Sequence, residues 1–407
     1  MYFILIGSIL FDEYQGNLCR MKKHVWFWAF FCMVIMTGNA RAQLLSFEEL
    51  AREKVYKSFD EAFADPWNCV VLDLSYKNLK YNSERVNQLE NLQVLHLAGN
   101  PSLDMDLAFT RKFFGSLMYI QIVDIQENGL KYLPSGLVKY VWLKMLFAGK
   151  NDLIEVPDFI CQMKSLQVLS FHHNRLRRLP ECLGNLDSLH TLDLSGNPSL
   201  DFDQLFAMAN QMSSLKKLYL SECNLHSIPV TISNLQQLEM LNLSANQLTR
   251  PPQYLFHLSG LKELNLSRNK ASSIPEDISN LQNLEVLSLN DNNLSALPGS
   301  IAQLKNLVFL NLSRNNFQSV PDSVFSLDNL RELNLASNKL EKLSPAFINF
   351  KKLEVLDLSN NSLKKLPLEL DFMESLKFIR LTGNPLGKDE KERLRRVFRE
   401  KKIKAEF

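Results

Sequence analysis

Residues 238–248 read LEMLNLSANQL, and residues 353–363 repeat the same frame as LEVLDLSNNSL. Both fit the pattern Leu-x-x-Leu-x-Leu-x-x-Asn-x-Leu, whose asparagine returns at intervals of 23 residues along most of the chain. Two intervals are longer. Asn128 follows Asn100 by 28 residues, and Cys223, which takes an asparagine position, follows Asn197 by 26 residues. A period of this size indicates a solenoid of stacked coils. Lys77 holds the corresponding place in a first, degenerate coil, and the later positions form a predicted structural ladder: Asn100, Asn128, Asn151, Asn174, Asn197, Cys223, Asn246, Asn269, Asn292, Asn315, Asn338, Asn361 and Asn384.

Each part of the frame has a structural reason. The alternation Leu-x-Leu predicts a short strand with one face in the core and the other in solvent. The asparagine then turns the chain, and its amide can pair with backbone groups that the turn leaves without partners. Many coils continue with an aliphatic residue and proline, as in Leu366-Pro367, which predicts an extended segment or one short helical turn on the outer side. The two long coils instead carry helix-like apolar stretches, around Phe113 and Phe206.

The frame resembles the leucine-rich-repeat family over residues 69–387, and its coil type is similar to that of secreted bacterial members. The resemblance implies an α/β solenoid, a horseshoe with a concave parallel β-sheet of about 14 coils and helical caps at both ends. Residues 43–68 are predicted to form an N-terminal helical cap, since Ser46 and Glu49 have capping-box spacing. Residues 388–407 are predicted to form a C-terminal helix and strand cap.

The N-terminal segment predicts export. Two lysines precede an apolar stretch over residues 25–36, and Ala-Arg-Ala follows at residues 40–42. Residues 1–42 are therefore interpreted as a signal peptide with a true start at Met21 and cleavage before Gln43. The stretch is shorter than the roughly 20 apolar residues of a spanning helix, so no membrane span is expected after cleavage. The expected location is secreted or in the cell envelope, in the periplasm or at the surface, and translation of residues 1–20 is left open.

Composition and motifs narrow the function. The formal net charge is only +2, which argues against a nucleic-acid partner. The sequence has no His-Glu-x-x-His or Gly-x-Ser-x-Gly motif, so neither an enzyme nor a cofactor is expected. Cys161 and Cys182 are expected near each other on neighbouring coils, and whether they pair is left open.

The resemblance implies that the concave sheet face is the recognition surface. Phe147 and Tyr219 are predicted to be exposed there among charged and histidine side chains, and large aromatics with mixed charge suit a binding hot spot. The ordinary variation of a solvated sheet is the alternative interpretation, and for the histidines simple exposed polar side chains are favoured over a metal site. The predicted ligand-binding residues are Asp124, Glu127, Phe147, Lys150, His172, His173, His190, Asp193, Tyr219, Glu222, Asn242, Asn265 and Arg268.

Two functions follow as alternatives. The favoured one is an exported interaction module that binds a protein, or a glycan, on the concave face. The other is an intracellular scaffold for a small GTPase or another signalling protein, because the Leu-Pro coils also resemble intracellular members of the family. That second interpretation requires the apparent signal peptide to be an artefact.

Overall fold

The computed structural model describes residues 44–80, 83–208 and 211–407. The signal peptide predicted for residues 1–42, and its cleavage site, lie outside the described residues. The described chain forms one sheet of sixteen parallel strands that follow one another in sequence order. The strands are β1 Val55–Tyr56, β2 Val71–Asp73, β3 Val94–His96, β4 Ile122–Asp124, β5 Met145–Phe147, β6 Val168–Ser170, β7 Thr191–Asp193, β8 Lys217–Tyr219, β9 Met240–Asn242, β10 Glu263–Asn265, β11 Val286–Ser288, β12 Phe309–Asn311, β13 Glu332–Asn334, β14 Val355–Asp357, β15 Phe378–Arg380 and β16 Lys404–Glu406.

Strands β2 to β15 come from the predicted coils, which confirms the solenoid with about 14 coils. Neighbouring strands pair so that their central residues align, as Leu241 does with Leu264. These central residues are fully buried, so that the stacked coils share one continuous core. The residues on either side of them face the concave surface.

The outer side of the coils is formed by short helical turns, as the Leu-Pro pattern predicts. In the part of the chain that the structure describes, nine 3-10 turns begin directly after a proline: Ser135–Lys139, Asp158–Gln162, Glu181–Asn185, Val230–Asn234, Gln253–His257, Glu276–Asn280, Gly299–Gln303, Asp322–Ser326 and Leu368–Phe372. The two long coils carry α-helices instead, α3 Met105–Ala108 and α4 Phe202–Met208. Proline sets its own φ near the helical value and needs no N–H at the start of the turn.

The asparagine ladder is present and buried. In a regular coil, Asn292 Nδ2 donates to the carbonyl oxygen of Leu266 at 2.9 Å, and its Oδ1 accepts from Ala271 N at 2.9 Å. Nδ2 of Asn292 also donates to the carbonyl oxygen of Leu289 at 3.1 Å, so the amide satisfies backbone groups of its own coil and of the coil before it. The same bonds recur from coil to coil and fix the stacking.

Cys223 replaces asparagine in this ladder, as predicted. Its Sγ lies 3.4 Å from the carbonyl oxygens of Leu194 and Ser221. Burial raises the pKa of Cys223 to about 11, so the thiol is protonated at neutral pH and is a poor nucleophile. This cysteine has a structural position.

The ends of the sheet are closed by different elements. At the C-terminus, helix α5 Lys388–Glu400 buries Leu394 and Phe398, and β16 then pairs with β15. At the N-terminus, β1 pairs with β2, and helix α2 Phe59–Ala64 buries Ala62 in the main core. A further helix, α1 Phe47–Leu50, has the predicted capping box but does not join this core. It lies on the concave face.

Among the described residues, no helix combines the length and the apolar character needed to cross a bilayer.

Candidate binding surface on the concave sheet

The concave face of the first coils has an apolar floor that is already covered. Leu50 packs with Val71 and Val94, and Phe47 packs against the cluster that contains Phe147. The expectation that Phe147 is exposed is therefore wrong, since only 9% of this residue is accessible. Strand alternation tells which face a side chain takes, but it does not tell what lies over that face. The apolar floor consists of Val71, Val94, Ile122, Met145, Phe147 and Val168.

Next to this floor lies a polar surface, which we call the central patch. It contains most of the predicted ligand-binding residues, which lie on strands β4 to β8 and the turns that follow them, except for His190 directly before β7. The central patch consists of Asp124, Glu127, Lys150, His172, His173, His190, Asp193, Tyr219 and Glu222.

Several of these side chains are placed by an unusual backbone conformation. The residue before each ladder position has a positive φ, for example 50° at Lys150, 50° at His173 and 57° at Glu222. This turn aims the N–H of Lys150 at the carbonyl oxygen of His172 in the next coil, at 2.6 Å. Left-handed backbone is costly for residues other than glycine, so the cross-coil hydrogen bonds hold it. The side chains there project from a rigid backbone.

An ion pair joins two coils at the edge of the central patch. Lys150 Nζ lies 2.7 Å from Glu127 Oε1, and the hydrogen bond from this ammonium lowers the pKa of Glu127. Burial foremost, together with the neighbouring Glu127, raises the pKa of Tyr76, a residue not predicted from the sequence as part of this surface. Asp124 is buried, accepts from Gln126 N at 3.1 Å and lies 3.5 Å from the ring of His96.

His172 is the most constrained histidine of the patch. Its Nδ1 lies 2.9 Å from Ser170 Oγ and 3.7 Å from Asp193 Oδ2, and Ser170 Oγ donates to Asp193 Oδ2 at 3.2 Å. Burial lowers the pKa of His172, which favours the neutral ring at neutral pH. The ring lies against Gly149, where an added Cβ would be 2.2 Å from Cε1.

This Ser-His-Asp group does not have the geometry of a catalytic triad. In a triad the serine and the aspartate contact opposite ring nitrogens, so that the histidine can take the serine proton while the aspartate orients the ring. Here Ser170 and Asp193 both approach Nδ1 of His172. The arrangement can orient the ring for binding, but it cannot activate the serine.

The other histidines do not form a metal site in the part of the chain that the structure describes. The rings of His172 and His173 are 5.5 Å apart and edge to face, because strand β6 has ended before them. His190 instead contacts Thr191 Oγ1 through Nδ1 at 2.9 Å. No three His, Cys, Asp or Glu side chains among residues 44–80, 83–208 and 211–407 are placed to hold a metal ion.

Two predicted contact residues further along the sheet have a local structural role. Asn242 Oδ1 accepts from Ser244 N at 3.0 Å, and Asn265 Oδ1 accepts from Ser267 N at 3.0 Å. These are side-chain turns that cap the end of each strand. Arg268 is exposed and follows the same strand end with a φ of 55°.

The later coils carry a ladder of charges that was not predicted from the sequence. Glu239 lies between Lys216 at 3.3 Å and Lys262 at 2.8 Å. The same arrangement recurs at Glu354, between Arg331 at 2.9 Å and Lys377 at 2.6 Å. The signal was available, because these residues occupy the position before each strand at intervals of 23.

A bond between neighbouring coils on the outer side adds to this scaffold. Cys161 and Cys182 form a disulfide, with their Cα atoms 5.8 Å apart, which answers the question that the sequence left open. In the part of the chain that the structure describes, Cys69 and Cys223 are buried and form no disulfide.

Comparison with known proteins gives the family. Profiles described as "Leucine-rich repeat region", "Leucine Rich repeats (2 copies)" and "Leucine Rich Repeat" match residues 251–377, 164–206 and 214–235. A leucine-rich-repeat protein of Leptospira interrogans is 31% identical, with a TM-score of 0.66, over 87% of this chain and 100% of that chain. The ectodomain of the Arabidopsis thaliana receptor kinase GASSHO1/SCHENGEN3, solved with Casparian strip integrity factor 2, is 26% identical with a TM-score of 0.55, over 75% of this chain and 40% of that chain.

Matches to curated sequences are short. Leucine-rich repeat and calponin homology domain-containing protein 1 of Mus musculus is 47% identical over 49 residues, which are 12% of this chain and 7% of the mouse protein. Such a match shows shared coils rather than a shared whole protein. The Leptospira protein, by contrast, is covered along its full length by this chain. The chain is a member of the leucine-rich-repeat family.

Proposed function

We propose that this chain is an exported interaction module that binds a protein partner through the central patch and the open concave face beyond it. The observation that carries the proposal is the combination in one patch of an aromatic side chain, Tyr219, with paired and half-buried charges. Aromatic and charged side chains on a rigid support are typical of interface hot spots. A glycan is the alternative ligand, and no catalytic role is proposed.

The scaffold suits recognition of a large surface. Fourteen strands at the usual spacing of about 4.8 Å give a sheet about 60 Å across, which can hold a standard protein interface. The central patch is fixed by hydrogen bonds and ion pairs between coils, so little conformational freedom is lost on binding.

Export is supported by two independent features. One is the signal-peptide pattern of residues 1–42. The other is the Cys161–Cys182 disulfide, a bond that persists in oxidising compartments and is rare in the cytosol. The disulfide favours the exported module over the intracellular scaffold.

Crosslinking from the patch tests the binding surface. A photo-crosslinker replaces Tyr219 in the mature protein, and a matched protein carries it at Asn280, exposed on an outer turn. Both are presented to intact cells whose surface proteins are then identified. We expect one protein to be crosslinked from position 219 alone, and Tyr219→Ala to weaken binding of that purified protein by at least about tenfold. Equal crosslinking from both positions would overturn the proposal, and loss of the signal after deglycosylation would favour the glycan.

Mass spectrometry of the native protein tests export. We expect an N-terminus at Gln43 in the envelope or medium, with only Cys69 and Cys223 alkylated after denaturation without reductant. An intact N-terminus in the cytosol with all four of these cysteines alkylated would support the signalling scaffold instead.

A further inference from the structure

We propose that the apolar floor on β2 to β6 is a peptide-binding groove, and that residues 44–50 occupy it as an internal ligand. The inference rests on the proposed recognition function and names the chemistry of the partner. That partner is a protein segment that presents the backbone N–H and carbonyl oxygen of one residue, and large apolar side chains with the spacing of Leu45, Phe47 and Leu50.

The first observation is that residues 44–50 are not needed to close the solenoid. Strand β1 and helix α2 do so, since Tyr56 and Ala62 are buried in the main core. Helix α1 instead lies over the concave face, where Leu50 joins a separate cluster with Val71 and Val94. A segment that covers a recognition surface rather than the end of the core behaves as a ligand of that surface.

The second observation is a pair of glutamines that binds the backbone of this segment. Gln93 Oε1 accepts from Leu45 N at 2.9 Å, and Gln121 Nε2 donates to the carbonyl oxygen of Leu45 at 2.9 Å. Gln121 Nε2 also donates to Gln93 Oε1 at 2.6 Å, so the two amides support each other. Both glutamines are almost fully buried, at 2% and 0% exposure. Hydrogen bonds of this kind recognise the backbone of the bound segment and do not depend on the residue type at the position of Leu45.

The groove has one hydrogen-bond acceptor that residues 44–50 do not use. Among the described residues, Gln121 Oε1 is buried without a hydrogen-bond partner, although a buried acceptor is costly to leave unpaired. A partner that supplies a donor there would bind better than residues 44–50 do.

Side-chain preferences follow from the same contacts. The Phe47 ring packs against the cluster of Met145, Phe147 and Val168, and the Lys144 ammonium lies 5.1 Å from its centroid. A cation at this distance favours an aromatic ring over an aliphatic side chain. The groove therefore selects an aromatic residue at that position and a large aliphatic residue three positions later.

Residues 44–50 make few buried contacts, which suits them to dissociate from the groove. Helix α1 has only four residues, and Leu45 and Phe47 remain half exposed. The residues that join it to β1 are mostly exposed. Segments with few buried contacts open locally at much lower free energy than the core.

Peptide binding in trans tests the groove. The full mature protein carries Phe47→Asp and Leu50→Asp, which release the internal segment, and the probe is a labelled synthetic peptide of residues 43–52. We expect this variant to bind the peptide at least about tenfold more tightly than the wild type, whose own segment competes at high effective concentration. Adding Met145→Asp in the floor should abolish binding, and a peptide with the same residues in scrambled order should not bind.

A second measurement tests the same segment within the intact chain. Hydrogen exchange of the wild type should show the amides of Leu45 to Leu50 exchanging at least about 100-fold faster than that of Tyr56. The inference is overturned if the released variant melts like the wild type but binds no peptide, or if the segment exchanges as slowly as the core.

The outcome also separates the groove from the proposed function. If the partner found by crosslinking from position 219 binds the wild type and the Phe47→Asp, Leu50→Asp variant equally, the groove is not its site and recognition by the central patch stands. If the peptide binds the groove while no partner depends on Tyr219, the patch proposal fails alone.

Discussion

The concave faces of the first and the last coils are built on one repeat frame but are completed in different ways. On β2 to β6 the first residue of each strand is apolar, and a segment from outside the repeat covers this floor. On most of the later coils the residue before the strand carries a charge, and such residues pair with neighbours 23 residues away. The frame fixes the core in both regions and leaves the outward positions free.

The concave faces of the first and the later coils differ in the interactions that stabilise them. Covering the apolar floor removes large side chains from water, and a fully buried side chain such as Leu50 contributes about 2 kcal/mol. Exposed ion pairs contribute less, typically under about 1 kcal/mol each. The later coils are therefore stable mainly through their core and their asparagine ladder, and their concave face needs no cover.

The largest effect is expected from the ladder of the regular coils. Asn292→Ala removes the partner of the Ala271 N–H and one of the two donors to the Leu266 carbonyl, which keeps Asn269 Nδ2 at 3.1 Å. Leaving the buried Ala271 N–H unpaired and removing these amide hydrogen bonds should lower the free energy of unfolding by about 3 kcal/mol, measured by urea denaturation. Asn290→Ala, which removes a half-buried side chain from the same turn, should change it by under about 0.5 kcal/mol.

The irregular position in the middle of the ladder, Cys223, should be more tolerant. Cys223→Ala loses only two weak sulfur contacts at 3.4 Å, so we expect a loss of about 1 kcal/mol. An equal loss for Asn292→Ala and Cys223→Ala would contradict the view that the ladder amide is what holds the regular coils.

A smaller effect should separate two glycines, one in each region. An alanine at Gly149 would bring Cβ within 2.2 Å of the His172 ring and push that ring away from Ser170. We expect Gly149→Ala to cost about 1 to 2 kcal/mol of unfolding free energy. Gly299→Ala is the matched control, since nothing lies within 4 Å of its added Cβ. A loss of the same size at both positions would mean that the ring does not depend on Gly149.

His172 should also give the central patch its own pH dependence. Because burial lowers the pKa of His172 in the folded protein, the unfolded chain binds a proton first as the pH falls below the ordinary value of 6.5. Stability from this residue is therefore present above that value and is lost below it. Melting temperatures measured between about pH 7.5 and pH 5.5 should fall less in His172→Asn than in the wild type. Parallel curves for the two proteins would rule out this role.

Much of this structure follows from the repeat, and the exceptions have physical causes. Leucine spacing alone predicts the parallel sheet and the position of Cys223. The capping box at Ser46 predicts a helix but not where it docks, because docking depends on a surface formed by distant coils. Positive φ before the ladder also escapes prediction, since residues as different as Lys150 and Ala245 adopt it under the pull of cross-coil hydrogen bonds. The strand caps at residues such as Asn242 could have been found, because asparagine followed two residues later by serine recurs at strand ends.

The smallest effect concerns the charge ladder itself. Glu239→Gln keeps the shape of the side chain but removes the charge between Lys216 and Lys262, whose hydrogen bonds lower the pKa of Glu239, that of Lys262 foremost. All three side chains are partly exposed, so the unfolding free energy should fall by only about 0.5 kcal/mol at low salt, and by less at about 0.5 M NaCl. Glu341→Gln, exposed on the outer side, is the control and should change little. A loss of several kcal/mol, or one that salt does not reduce, would mean that the charges of the later coils stabilise the sheet as strongly as the apolar cover stabilises the first coils, and the contrast between the two regions would fail.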